Sequence, residues 1–196
     1  MRRLLLIRHA RTDAVRNAAF PLDEPLDPDG LEAAGELAGR LGREDAFCSP
    51  SLRARETAAA AGLDAEVVPE LRECDFGTWA GRTLADVHAQ DPQGALAWMG
   101  DPHARPHGGE TLAELLARVG GWLDARAQLD GRAIAITHGG VVKAAVVHAL
   151  GAPAAAFWRV DAAPLATTEL HAHDGRWTLT RVNAPVAIAE RVGTAA

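Results

Sequence analysis

The chain has 196 residues, 48% of them hydrophobic and 23% charged, which suits one domain with a full core. Its formal net charge of −6 argues against general nucleic-acid binding, since affinity for a phosphate backbone needs a basic surface. Two cysteines, Cys48 and Cys74, have neither the number nor the spacing of a disulfide framework or zinc site, and fit a reducing compartment as core or near-core residues.

The first element is the aliphatic run Leu4-Leu5-Leu6-Ile7, ended by Arg8-His9. It reads as a strand covered on both faces. At about four residues it is shorter than a signal-peptide core, and no stretch reaches the roughly 20 apolar residues of a membrane span. The expectation is a soluble, cytoplasmic protein with no membrane contact. Residues 10–28 read as loop. After Asp29-Gly30, the residues Leu31, Ala34, Leu37, Ala38 and Leu41 recur at threes and fours, which predicts an amphipathic helix closed near Gly42. A short strand through Ala46-Phe47-Cys48 stops at Ser49-Pro50, and 51–61 forms the next helix. Val67-Val68 suggests another short strand.

Residues 77–109 hold a concentration of Gly, Pro and Trp and read as a lid-like helical excursion. A long helix follows over 111–129, with Leu112, Leu115, Leu116, Val119 and Leu123 on one face. The second buried strand, Ala133-Ile134-Ala135-Ile136, runs into Thr137-His138-Gly139-Gly140, which opens an apolar helix to Leu150. Segments 165–173 and 176–183 alternate around Asp174-Gly175, a hairpin signal. Its apolar edge could pair with a second copy, so a homodimer is allowed. Strands alternating with helices imply an α/β fold, a three-layer α/β/α sandwich with a mainly parallel central sheet in a single domain over 1–196.

Functional groups of parallel sheets gather at the carboxyl ends of the strands. Arg8-His9 and His138 both fall there, where two histidines can meet across neighbouring strands. Either histidine alone would be a polar strand cap; the pair with an adjacent arginine points to chemistry. Ser49-Pro50-Ser51-Leu52-Arg53 also follows a strand and opens a helix, whose N-terminus favours an anion. Arg53 adds a planar donor fork suited to phosphate oxygens. Arginine alone means little in a chain where Lys143 is the one lysine among 20 basic residues. Glu73, set among apolar and aromatic residues in Leu71-Arg72-Glu73-Cys74-Asp75-Phe76-Gly77-Thr78-Trp79, suits a proton carrier, with Asp75 as its rival.

Together these segments resemble the histidine phosphatase superfamily, the phosphoglycerate-mutase-like enzymes. The matching elements are Leu6-Ile7-Arg8-His9-Ala10-Arg11-Thr12, Ser49-Pro50-Ser51-Leu52-Arg53-Ala54, Leu71 to Trp79, Pro106-His107-Gly108-Gly109-Glu110-Thr111 and Thr137-His138-Gly139-Gly140, in family order along nearly the whole chain. The resemblance implies a phosphoglycerate-mutase-like fold. It also implies that His9 is the nucleophile, that Arg8, Arg53 and His138 bind phosphoryl oxygens, and that Glu73 donates the proton. Arg11, Thr12 and Gly139 are further substrate contacts. The reaction so implied needs no cofactor and no metal. Its substrate is a small phosphorylated metabolite and its product inorganic phosphate.

Two positions depart from the family pattern: its glycine is Ala10, which requires an ordinary backbone dihedral, and its asparagine is Val15, with Asn17 two places on. Alternatives to hydrolysis are a mutase that returns the phosphate, for which the chain lacks inserted segments, and a weakened phospho-ligand or protein binder. Short members similar to α-ribazole phosphatase and broad-specificity members fit equally. His103, His107, His171 and His173 have no common metal-ligand spacing. The five tryptophans are expected to pack in the core or lid rather than form a ligand cage, Glu110 is expected at a helix start, and Lys143 and Arg159 on the surface.

Overall fold

The computed structural model describes residues 1–42 and 44–186; Arg43 and 187–196, the end of the expected domain, lie outside them. Its strands are β1 (Arg2–Arg8), β2 (Asp45–Cys48), β3 (Glu66–Val67), β4 (Gly131–Thr137), β5 (Thr167–His173) and β6 (Arg176–Ala184). They form one sheet in the order β3-β2-β4-β1-β5-β6. The pairs β1·β4, β2·β4 and β2·β3 are parallel, whereas β5 lies antiparallel to both β1 and β6. The sheet is therefore mainly parallel with an antiparallel hairpin on one side, the hairpin that Asp174-Gly175 signals.

The helices are α1 (Asp13–Arg16), α2 (Pro28–Gly35), α3 (Leu52–Ala60), α4 (Leu84–Gln90), α5 (Pro92–Gly100), α6 (Leu112–Asp124) and α7 (Gly139–Leu150). Alternate residues of a strand face opposite sides of a sheet, so a continuous apolar run is buried twice. Leu4 and Leu6 of β1 and Ala133 and Ala135 of β4 pack under α6 and α7. Ile7, Ile134 and Ile136 pack under Ala54 and Ala58 of α3 on the other face. Each such buried Leu or Ile contributes about 1.5–3 kcal/mol relative to exposure. A third cluster, Phe20, Trp79 and Val87, gathers the chain after α1 and the α4–α5 segment into a satellite core.

Three expected elements differ. Residues 10–28 contain α1, because the Thr12 hydroxyl accepts the Val15 amide hydrogen and Asp13 occupies the first turn, two helix-start features. The helix expected to reach Gly42 stops at Gly35, and Gly39 adopts φ +72°, a left-handed value that breaks α geometry. Leu37 is nevertheless buried, so the apolar spacing records burial rather than helix continuity. The helix expected over 111–129 is α6, capped at its start by Thr111, whose hydroxyl and amide both engage Glu114, and finished at Asp124.

Candidate active site

The parallel register sets the site. Ile7 pairs with Ile136 and Arg8 with Thr137, so the next residues, His9 and His138, leave the sheet side by side. The His9 amide donates to the Thr137 carbonyl at 2.7 Å, and the Ser49 amide at the end of β2 donates to Ile136 at 3.0 Å. Three strand ends thus converge. The two imidazole rings lie 5.1 Å apart at 63°.

His9 is buried and carries a fixed tautomer. Its Nδ1 lies 2.7 Å from the Ala10 carbonyl, an acceptor, so Nδ1 bears the hydrogen. Its Nε2 accepts from Arg53 Nε at 3.2 Å, which requires a lone pair there. Burial, then the positive charges of Arg53 and Arg8, pull the imidazole down to about 3 against the opposing pull of the Ala10 carbonyl. The ring is a neutral base with its lone pair on Nε2. Ala10, the departure from a glycine, lies outside the positive-φ region and is fully buried, its amide donating to Thr57 Oγ1 at 3.0 Å. The expected condition on Ala10, an ordinary dihedral, is met.

Arg53, from the first turn of α3, spans both imidazoles. Besides its Nε bond to His9, its Nη2 faces His138 Nδ1 at 3.2 Å, and its Nη1 donates to the Leu22 carbonyl at 2.7 Å. Because a guanidinium only donates, His138 Nδ1 is the acceptor. Its Nε2–H then donates to Ser49 Oγ at 2.7 Å, with Ser51 Oγ at 3.2 Å. His138 is completely buried, and burial followed by His9, Arg53 and Arg8 holds it well below the usual imidazole range. Arg8 Nη1 donates to the Ala162 carbonyl at 2.7 Å, while its Nε is buried with no protein partner. A buried, unpaired guanidinium N–H is costly unless a ligand completes it.

Arg8, His9, Glu73, Gly139 and Gly140 line one end of a cavity of about 290 Å³. Glu73 Oε1 accepts from the Cys74 amide at 3.0 Å and Oε2 from the Gly140 amide at 3.2 Å, which ties the carboxylate to the N-terminus of α7. Asp75, the rival, is exposed and accepts the Gly77 amide hydrogen at 2.9 Å, outside this cavity. Of the two carboxylates, Glu73 is the one in the cavity wall. The Cys74 thiol beside it is raised by burial and by Glu73 and Glu110, which makes it inert.

Two expected substrate contacts are not brought to the cavity. Arg11 Nε donates to Asp27 Oδ2 at 2.8 Å and its Nη2 pairs with Asp29, so its donors face carboxylates. Thr12 is fully buried and caps α1, with its hydroxyl 3.2 Å from Glu24 Oε1. Gly139 does line the cavity. Val15 lies in its wall, whereas Asn17 is exposed at the end of α1 and outside it. Lys143, expected on the surface, is half-buried in the cavity wall. Its ammonium lies 5.5 Å from the Phe157 ring centroid and is lowered chiefly by burial. Its spacing of four from Gly139 on a helix places both on one face, a signal that could have found it. Glu24 also lines the cavity, with Oε2 buried and unpartnered; its loop sequence carries no comparable signal.

Most of the remaining residues have structural partners. Glu110 forms a paired contact with Arg118, at 2.7 Å for each oxygen, just before the α6 cap. His107 is buried against Trp79, His103 is exposed, and His171 pairs with Glu169 at 2.6 Å. Among the described residues, no three His, Cys, Asp or Glu side chains form a metal-binding group, and no helix is long and apolar enough to cross a membrane.

The chain is similar to several known proteins. Mycobacterium tuberculosis bifunctional protein Rv2228c is 35% identical over 127 residues, 60% of this chain and 35% of that protein, so the chain spans about a third of that relative. Escherichia coli adenosylcobalamin/α-ribazole phosphatase is 31% identical over 173 residues, 81% of this chain and 85% of the relative. The solved structure of mycobacterial glucosyl-3-phosphoglycerate phosphatase Rv2419c with VO3 has a TM-score of 0.82 at 30% identity, covering 94% of this chain and 100% of that one. The family model described as histidine phosphatase superfamily (branch 1) matches residues 4–185, and the chain belongs to that superfamily.

Proposed function

We propose that the protein hydrolyses phosphate monoesters of small molecules through a phosphohistidine on His9. The observation that carries this reading is the His9 tautomer, with Nδ1–H tied to Ala10 and the Nε2 lone pair held by Arg53, in a cavity that Arg8 lines with its Nε unpartnered. His9 Nε2 attacks phosphorus, the ester P–O bond breaks, and the leaving oxygen takes a proton from Glu73. The Glu73 carboxylate then removes a proton from water, whose oxygen attacks phosphorus. The P–N bond breaks and its electron pair returns to Nε2. Arg8, Arg53 and the N-terminus of α7 offset the charge on the equatorial oxygens. Phosphoryl oxygens take over the Arg53 donors that face the two imidazoles, so His138 orders Arg53 before substrate arrives and reaches a phosphoryl oxygen only if its Nε2–H leaves Ser49.

Cations supplied by the protein make an added metal ion unnecessary. Phosphate release from a panel of phosphomonoesters is therefore expected to persist unchanged in EDTA, with an acid-labile, base-stable phosphoenzyme trapped on His9 during turnover. Loss of activity in EDTA that zinc or magnesium restores would overturn this chemistry, and turnover without a phosphoenzyme would overturn the covalent route.

The two glycines at the start of α7 make a paired prediction. A Cβ on Gly140 would overlap Glu73 Oε1, whereas one on Gly139 would meet Arg8 Nε at 3.5 Å, ordinary contact. Gly140→Ala is expected to lower kcat about ten- to hundredfold by displacing the carboxylate, with Gly139→Ala within a few-fold of wild type. Steady-state kinetics on the two variants check this, and equal effects would contradict it.

A further inference from the structure

The cavity has two chemically different ends. Charged and hydrogen-bonding groups cluster where Arg8, His9 and Glu73 meet the start of α7. The rest of the lining is mostly carbon, with Glu24, Lys143 and Asp161 as its charged members: Val15 from α1, Ala18 just after that helix, then Phe20, Trp98, Phe157 and Trp158. The rings interlock, with Trp98 against Trp158 at 4.7 Å, Trp98 against Phe20 at 5.8 Å and Phe157 against Trp158 at 5.0 Å, all edge-to-face. The wall is thus assembled from α1, α5 and the 3-10 segment Ala154–Arg159, elements far apart in the chain.

Apart from the unpartnered Oε2 of Glu24, the polar groups near this wall are few or already engaged. Asp161 Oδ1 accepts the Ala162 amide hydrogen at 2.8 Å and its Oδ2 accepts from Asn183 Nδ2 at 3.2 Å. Lys143 leans over the Phe157 ring, and Arg11 and Asn17, each within four positions of Val15, lie outside the cavity. The Trp98 indole N–H is buried without a partner and offers one donor. A polyhydroxylated alcohol seated here would lose hydration at several hydroxyls without replacement, whereas a flat hydrocarbon would lose none and gain ring contacts.

We propose that the alcohol portion of the substrate is flat and apolar, an aromatic or comparable hydrocarbon group carrying few hydroxyls, and that Val15 and the Trp98–Trp158 wall select it. This rests on the phosphomonoesterase reading and narrows it to a substrate class. The phosphoryl end treats all monoesters alike, so the preference belongs to kcat/KM and follows how the alcohol packs.

The test compares 3-phenylpropyl phosphate with glycerol 3-phosphate, both primary alkyl esters, which reduces the difference in leaving-group basicity. Wild type is expected to favour the phenyl ester by about a hundredfold in kcat/KM, on the scale of what partnerless hydroxyls cost in an apolar site. A preference below tenfold, or one for glycerol 3-phosphate, overturns the proposal while leaving the hydrolase reading intact. Turnover of neither ester, nor of any in the wider panel, defeats the hydrolase reading and this one with it. Val15→Asn places an amide in the wall on a half-exposed residue, and is expected to shift the ratio toward glycerol 3-phosphate by at least about fivefold. An unchanged ratio in a variant with wild-type thermal stability would remove Val15 from the selecting surface.

Discussion

Replacing His9 with alanine is expected to lower phosphate release by about 10⁴-fold or more and to abolish the trapped phosphoenzyme. The size follows from geometry. His9 presents the unprotonated ring nitrogen at the polar end of the cavity, while both nitrogens of His138 are turned to Arg53 and to Ser49 and Ser51. The second imidazole cannot take over without giving up those bonds. Cys74 is held as a thiol, so it offers no substitute.

The same substitution has a signature in stability that separates it from general damage. Native His9 stays neutral down to about 3, whereas an unfolded chain protonates its histidines near 6.5. Between those values the unfolded state binds the extra proton, so this group makes stability rise with pH and fall as the solution is acidified. His9→Ala removes that loss. Relative to wild type, the variant should therefore recover about 3 kcal/mol between pH 7 and pH 4, read from denaturant unfolding at the two values. A difference independent of pH would mean that the imidazole takes up its proton in the folded state, against the arrangement of Arg8 and Arg53 around it.

The sequence is informative about this site because its chemistry sits at strand ends. Leu4 to Ile7 and Ala133 to Ile136 announce twice-buried strands by composition alone, and the residues after them must leave the sheet at its carboxyl edge. His9, His138 and Arg53 were legible for that reason. Glu73 was legible only as one of two carboxylates, since the choice over Asp75 depends on the Gly140 amide, 67 positions away. Arg11 was misplaced because neighbouring the nucleophile in sequence does not decide direction; Asp27 and Asp29 do. The cavity wall was the least legible part. Val15, Trp98 and Trp158 come from three separate segments without shared periodicity, and only tertiary packing brings them together.

Glu73→Gln is expected to divide substrates by how badly they leave. Glutamine keeps an oxygen for the Cys74 or Gly140 amide but cannot deliver a carboxyl proton, so alkyl phosphates, whose alkoxides need that proton, should lose about 10²- to 10⁴-fold in kcat/KM. A 4-nitrophenyl ester departs as a stable phenolate and needs no proton, so phosphorylation of His9 should stay close to wild type for it. The second half of the reaction is common to all substrates and uses the same carboxylate to activate water. With the nitrophenyl ester the variant should therefore release about one equivalent of nitrophenolate per active site in a burst and then slow, as the phosphohistidine accumulates. No burst and an equal loss on both ester types would place Glu73 in binding alone. A variant with wild-type turnover of alkyl phosphates would transfer the proton to another group. Asp75 would be the next candidate, even though its exposed carboxylate would have to leave the Gly77 amide and reach the cavity.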